Sequence, residues 1–203
     1  MIRSYAGLLE GIMSRPGPVR LVAVDGPGGS GKSTFAARLA AVSPSRVAVV
    51  HTDDFATPET PIDWWPEMLA RAIEPLAAGR PARFPRYDWA ELTWGEEVTV
   101  EARPVVVIEG VSAGRREWAH HLTMTVWIQT DRDLRLRRGL ERDGPHMAGI
   151  WTEWMAAEDR HFAADPTRER ADLVVDGDPT APHDPETEFV VLGTHGEGVP
   201  PTH

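Results

Sequence analysis

The sequence predicts a three-layer α/β domain, a parallel sheet of about five strands with helices on both faces. Three observations predict it. Short Val-rich apolar runs recur along the chain, helix-patterned stretches alternate with them, and the first run ends in a glycine-rich turn that opens a helix. At 203 residues the chain suits one domain, expected over 1–192, with 193–203 as a disordered tail.

Ile2, Tyr5, Leu8, Leu9 and Ile12 repeat at helical spacing and predict an amphipathic helix over 2–14, stopped at Pro16-Gly17-Pro18. VRLVAVD (19–25) reads as a buried parallel strand, and STFAARLAAV after the glycine turn as a helix. RVAVVHT (46–52) is a second strand, closing on Asp53 and Asp54. Residues 62–78 read as a helix, inside an insert of about 56–97. PVVVIEG (104–110) and TMTVWIQT (123–130) are the third and fourth strands, with a short helix over 115–121 between them. The Arg-dense segment 131–143 is helical, and a short lid over about 143–150 leads to a helix at 149–163. ADLVVDG (171–177) is the fifth strand, and FVVL (189–192) a sixth or an edge strand.

The net charge of -10 argues against broad nucleic-acid or anionic-membrane binding, and a homo-oligomer is compatible with the composition. No run of apolar residues is long enough to span a membrane. The absence of cysteine and of a signal-peptide pattern makes the cytoplasm the expected location.

Of 21 basic residues, one is lysine, and it is Lys32. It lies in GPGGSGKS (26–33), a G-x-x-x-x-G-K-[ST] motif placed after a strand and opening a helix, the context a phosphate-binding loop needs. Gly26, Gly28, Gly29 and Gly31 let backbone N–H groups turn inward on phosphate oxygens, with Ser30 and Thr34 completing the loop. The helix N-terminus adds positive potential. Lys32 is expected to reach the β- and γ-phosphates of ATP, and Ser33 to ligate Mg²⁺. The sheet is therefore expected to be that of a P-loop NTPase.

In a parallel α/β sheet, ligands bind at the carboxyl ends of the strands, which is where Asp53, Asp54 and Glu109 fall. Transfer to a hydroxyl needs a proton acceptor and a carboxylate near the metal. Asp53 is assigned the first task, with Asp54 as the alternative, and Glu109 the second; an N-cap and a solvated strand end are the plainer readings. Arg135, Arg138 and Arg142 share a helix face and could meet the transferred phosphoryl charge, or simply pair with Asp131, Asp133 and Glu141. Trp64, Trp65, Trp89 and Trp94 flank the insert, suited to packing or to stacking on a flat ligand. The eight histidines show no metal-ligand spacing; His51 could orient a carboxylate or be a plain turn residue.

The ordered set DGPGGSGKST (25–34), HTDDF (51–55), FPRYDW (84–89), VVVIEG (105–110), RLRRGLERD (135–143) and ADLVVDG (171–177) resembles the uridine kinase-like branch of the P-loop kinases. The resemblance implies an ATP- and Mg²⁺-dependent kinase acting on a small-molecule hydroxyl, with a nucleoside favoured. It implies Asp53 as the base, Glu109 near Mg²⁺, and Phe55, Tyr87 and Asp88 in the acceptor pocket. Arg138 and Arg142 would stand at the base of the lid. A nucleotide-binding ATPase or switch without an acceptor is the rival reading. The chain departs from the family at Ala56, where a Tyr is usual, in lacking a His after Tyr87-Asp88-Trp89, and in a short 144–149 segment. These departures weaken uridine as the particular acceptor.

Overall fold

A computed structural model describes residues 1–194. In chain order the elements are β1 (Ile2–Ser4), α1 (Tyr5–Met13), β2 (Arg20–Asp25), α2 (Lys32–Val42) and β3 (Val47–His51). Next come α3 (Trp65–Met68), a π-helical turn (Leu69–Ile73), α4 (Glu74–Ala77), β4 (Ala82–Asp88), β5 (Thr93–Val100) and β6 (Val105–Glu109). The chain continues through β7 (Leu122–Gln129), α5 (Arg132–Asp143), α6 (Ala148–Ala164), α7 (Thr167–Arg170), β8 (Leu173–Asp176) and β9 (Glu188–Thr194).

The main sheet runs β1-β9-β8-β7-β2-β6-β3, and a two-stranded sheet pairs β4 with β5. The five neighbouring strands β8, β7, β2, β6 and β3 are mutually parallel, as the Val-rich runs predict. Alternate β2 residues are buried on opposite faces. Val22 and Val24 pack with Leu9, Ile12, Phe35 and Leu39 of α1 and α2, while Leu21 and Ala23 pack with Met68, Ile73, Leu76, Phe84 and Trp118. Burial on both faces is why these strands read as unbroken apolar runs.

Five features differ from expectation. Residues 2–4 form an antiparallel edge strand, Ile2 opposite Val190, because the Ser4 side chain caps the helix and accepts from Gly7 N; the helix therefore starts at Tyr5. The last strand, β9, lies between β1 and β8 as a second antiparallel member and runs through Gly193 and Thr194, two residues into the expected tail, whose remainder lies outside the described residues. The insert carries a β-hairpin that its sequence hid. Ala82, Phe84 and Tyr87 point inward, but a bulge between Pro85 and Tyr87 breaks the period of two. The helix of 62–78 is interrupted by the π-helical turn, since Pro75 has no N–H to offer the carbonyl of Arg71. The expected lid is a single 3₁₀ turn, Pro145–Met147, between α5 and α6. Among the described residues no helix is long and apolar enough to cross a membrane.

Candidate active site

The phosphate loop leaves β2 at Asp25 and enters α2 at Lys32. Gly31 caps that helix with φ 100°, and Gly29 sits at φ 76° with its Cα turned against α5. A Cβ on Gly29 would lie 2.5 Å from the Arg135 carbonyl oxygen, so only glycine fits. The loop is braced from beneath. Asp25 is fully buried; its Oδ1 accepts from Gly26 N (2.7 Å) and its Oδ2 from Gly114 N (2.9 Å). Burial pushes its pKa up to about 6, with those two hydrogen bonds and Lys32 opposing. Gly26 and Ser30 belong to this underside: the Ser30 carbonyl accepts from Thr130 Oγ1 at 2.9 Å. Lys32 is buried, and its Nζ donates to the Pro27 carbonyl at 3.0 Å.

Strand register places the next groups. His51 stands directly opposite Glu109 on the parallel pair β3 and β6. Glu109 Oε2 meets His51 Nδ1 at 2.6 Å, and Oε1 accepts from Ser33 Oγ at 3.1 Å. Burial would raise the Glu109 pKa, but His51, Lys32 and Ser33 outweigh it and hold it below the ordinary value. The same hydrogen bond raises the pKa of His51. His51 thus orients a carboxylate, that of Glu109.

Gly28, Gly29, Gly31, Lys32, Ser33 and Thr34 share the wall of one cavity of about 810 Å³ with Asp53, Glu109, Arg138 and Arg142. Asp53 is open to this space, yet ringed by protein. That surrounding mass raises its pKa, with Lys32 opposing and Glu109 reinforcing. Asp54 is a different case: its Oδ1 lies 3.0 Å from Arg86 Nε, an ion pair tying it to β4. Arg138 donates to the Gly177 carbonyl (3.0 Å) and to Asp178 Oδ1 (2.8 Å). Arg142 is held by both oxygens of Asp143, at 2.7 and 2.9 Å, with its guanidinium 5.7 Å from the Trp151 ring centre. Arg135 is turned away into the protein beside Glu158.

Three residues expected in the acceptor pocket are not in the cavity wall. Phe55 is 2% exposed and packs on Phe84 at 4.5 Å, in the core beneath. Tyr87 is buried between Trp89 and Trp94, with ring centres at 5.2 and 5.4 Å. Asp88 Oδ1 accepts from Ala90 N and Glu91 N, closing the hairpin turn as an Asx residue does. The wall is built instead from Trp64, Trp89, Trp151 and Trp154, with Asp143, Met147 and Glu158. Trp89 Nε1 donates to the Asp53 carbonyl at 3.1 Å, and its ring meets Trp154 edge-on at 5.9 Å. The α6 residues were missed by sequence reasoning. Their signal was Trp151, Trp154 and Glu158 at spacings of three and four, a charged residue on the buried stripe of a helix.

Known proteins share this architecture. A uridine kinase of Halobacterium salinarum is 28% identical over 117 residues, 54% of this chain and 52% of that protein, so the chain spans about half of that relative's length. A uridine kinase of Streptococcus mutans is 24% identical over 178 residues, 76% of this chain and 85% of that protein. Among solved structures, a possible uridine kinase from Bacillus stearothermophilus has the same fold, with a TM-score of 0.65 at 21% identity over 84% of this chain and 96% of that one. A Silicibacter kinase named for a fructose transport system aligns at a TM-score of 0.59 and 21% identity, covering 80% and 95%. The profile of the Phosphoribulokinase / Uridine kinase family matches residues 50–182, from the end of β3 past β8, which is more than half of the chain. The chain belongs to that family.

Proposed function

We propose that the chain is an ATP-dependent phosphotransferase that moves the γ-phosphoryl group to a hydroxyl of a small molecule. One observation carries this reading: the phosphate loop and Asp53 line a single cavity, close enough for Lys32 to act on the Asp53 carboxylate. Backbone N–H groups of the loop and the Lys32 ammonium hold the phosphates. A second cavity of about 370 Å³, lined by Arg38, Gly177 and Pro179, shares Gly31, Thr34 and Arg138 with the first, giving the base and sugar of the nucleotide a place.

In the transfer, the acceptor oxygen bonds to the γ-phosphorus as the bond to the β–γ bridging oxygen breaks. ADP leaves with that oxygen's charge, and the hydroxyl proton passes to Asp53, whose raised pKa suits a base. Arg142, aimed by Asp143, supplies positive charge beside Asp53. The Ser33 hydroxyl and the Glu109 carboxylate, 3.1 Å apart, are hard oxygen donors that fit Mg²⁺. Bound Mg²⁺ would neutralise phosphate charge.

For the acceptor we favour a nucleoside, supported by the relatives' names and by four indoles in the cavity wall. Dependence on ATP suits the cytoplasm. The test is ADP release from Mg-ATP across a panel of nucleosides, sugars and short polyols. Acceptor-dependent release, fastest with a nucleoside, is the expected result. Slow hydrolysis indifferent to every acceptor would overturn the reading in favour of an ATPase or switch.

A further inference from the structure

One acidic side chain outside these roles is buried against the phosphate loop. Glu158, on α6, is 7% exposed, and both of its carboxylate oxygens lie 3.1 Å from Gly28 N, which donates to them. The peptide unit carrying that N–H is held at its other end too, where the Pro27 carbonyl accepts from Lys32 Nζ at 3.0 Å. A peptide unit is planar and stiff, so fixing the direction of its N–H fixes the direction of its C=O. Glycine on one side of the plane makes rotation cheap if nothing holds it. Glu158 and Lys32 therefore grip opposite ends of one plate.

The surroundings leave little slack. A Cβ on residue 28 would lie 2.8 Å from Glu158 Oε1 and 3.2 Å from the Trp151 ring, so the carboxylate and indole close over the Gly28 backbone. Arg135 Nη1 lies 3.7 Å from Glu158 Oε2, near enough to attract without a hydrogen bond. Burial raises the pKa of Glu158, and Lys32, the Gly28 N–H and Arg135 oppose that rise. A buried carboxylate is costly unless it is bonded, and its principal bond is to the phosphate loop.

We propose that Glu158 is a positioning residue: through the Pro27–Gly28 peptide it sets the mouth of the phosphate loop and seats the Lys32 ammonium. The consequence for turnover rests on the phosphotransferase reading above, whereas the seating of Lys32 can be measured without any nucleotide.

Lys32 is the chain's one lysine, so full-length protein labelled with ¹³C-lysine yields a single side-chain ε-methylene signal. Glu158→Ala removes the acceptor and is expected to displace that signal. Glu158→Gln keeps an acceptor oxygen and is expected to restore most of the wild-type position. In turnover, Glu158→Ala should raise the KM for ATP about tenfold, and Glu158→Gln should stay within about threefold of wild type. If Glu158→Ala does not fold, Glu158→Asp, which withdraws the carboxylate by one methylene, should give an intermediate displacement.

An undisturbed lysine signal in the alanine or aspartate variant would overturn the proposal. So would equal displacement by Gln and Ala, because the hydrogen bond to Gly28 would then not be the link. If no form of the protein binds ATP, the phosphotransferase reading fails, and the lysine signal still decides the seating of Lys32.

Discussion

The two halves of the cavity are made of different material. The phosphate half is main chain: eight consecutive residues, 26–33, fixed from below by buried Asp25 and from the side by α5. The acceptor half is side chain, with Trp64 from the insert, Trp89 from the hairpin turn, and Trp151 and Trp154 from α6. A polyphosphate presents the same oxygens whatever nucleoside it carries, so a fixed amide cradle serves it. An acceptor varies in shape, and a wall of indoles from three separate segments can be recut one residue at a time. The difference separates chemistry from selectivity, and each half can be broken without the other.

The largest break is at the ammonium. Lys32→Ala should cost on the order of a thousandfold in kcat/KM for ATP, measured as acceptor-dependent ADP release, because no other side-chain cation lies within the loop. Wild-type kinetics in that variant would mean that the loop holds no phosphate. Asp53 stands where the halves meet, and Asp53→Asn should lower kcat about a hundredfold while keeping the KM for ATP. Its neighbour sharpens the point. Asp54 is engaged with Arg86, so Asp54→Asn should change kcat by no more than about threefold. Reversed results for the two variants would exchange their roles.

That contrast also explains what the sequence disclosed. The phosphate half is a local structure, and the residues that form the loop lie in one short string with its glycines in view, while its braces at Gly114, Thr130, Arg135 and Glu158 come from elsewhere in the chain. The strand ends bearing Asp53 and Glu109 were legible for a related reason, because the carboxyl ends of parallel strands gather at one edge. The pairing of His51 with Glu109 needed strand register, which apolar runs do not specify. The acceptor half depends on where remote segments meet. Nothing in FPRYDW says that Tyr87 is sandwiched, that Asp88 is spent on a turn, and that Trp89 alone reaches the cavity. The bulge at Pro85–Tyr87 decides that outcome, and a shift of one residue in a strand reverses which side chains face inward.

An intermediate break acts first on the acceptor half, at α5. Gly139 of α5 lies under Trp151: a Cβ there would come within 2.4 Å of the indole. Gly139→Ala should push that indole into the cavity, cost about 1–3 kcal/mol of stability, and raise the acceptor KM about tenfold. The KM for ATP should move less. Thermal unfolding and the two Michaelis constants check this, and a larger rise in the ATP constant would show that the halves are not separable at α5.

The smallest effect lies on the phosphate side, at the His51–Glu109 pair. His51 has a folded pKa above its unfolded value of 6.5, so its contribution to stability is complete below 6.5 and disappears as pH rises through the folded value. Glu109 has a folded pKa below 4.5, so its contribution is complete above 4.5 and disappears as pH falls through the folded value. The pair is therefore fully ionised and fully stabilising between those two unfolded values. The His51 side chain is 45% exposed, so solvent screening keeps the effect small, about 2 °C in Tm or less. Wild-type protein should lose that increment as pH rises above 6.5 through the folded value, whereas His51→Gln, which cannot ionise, should lack the step. An identical pH profile for both would mean that the imidazole contributes no charge, and that Glu109 is held in place by Ser33 and Lys32 alone.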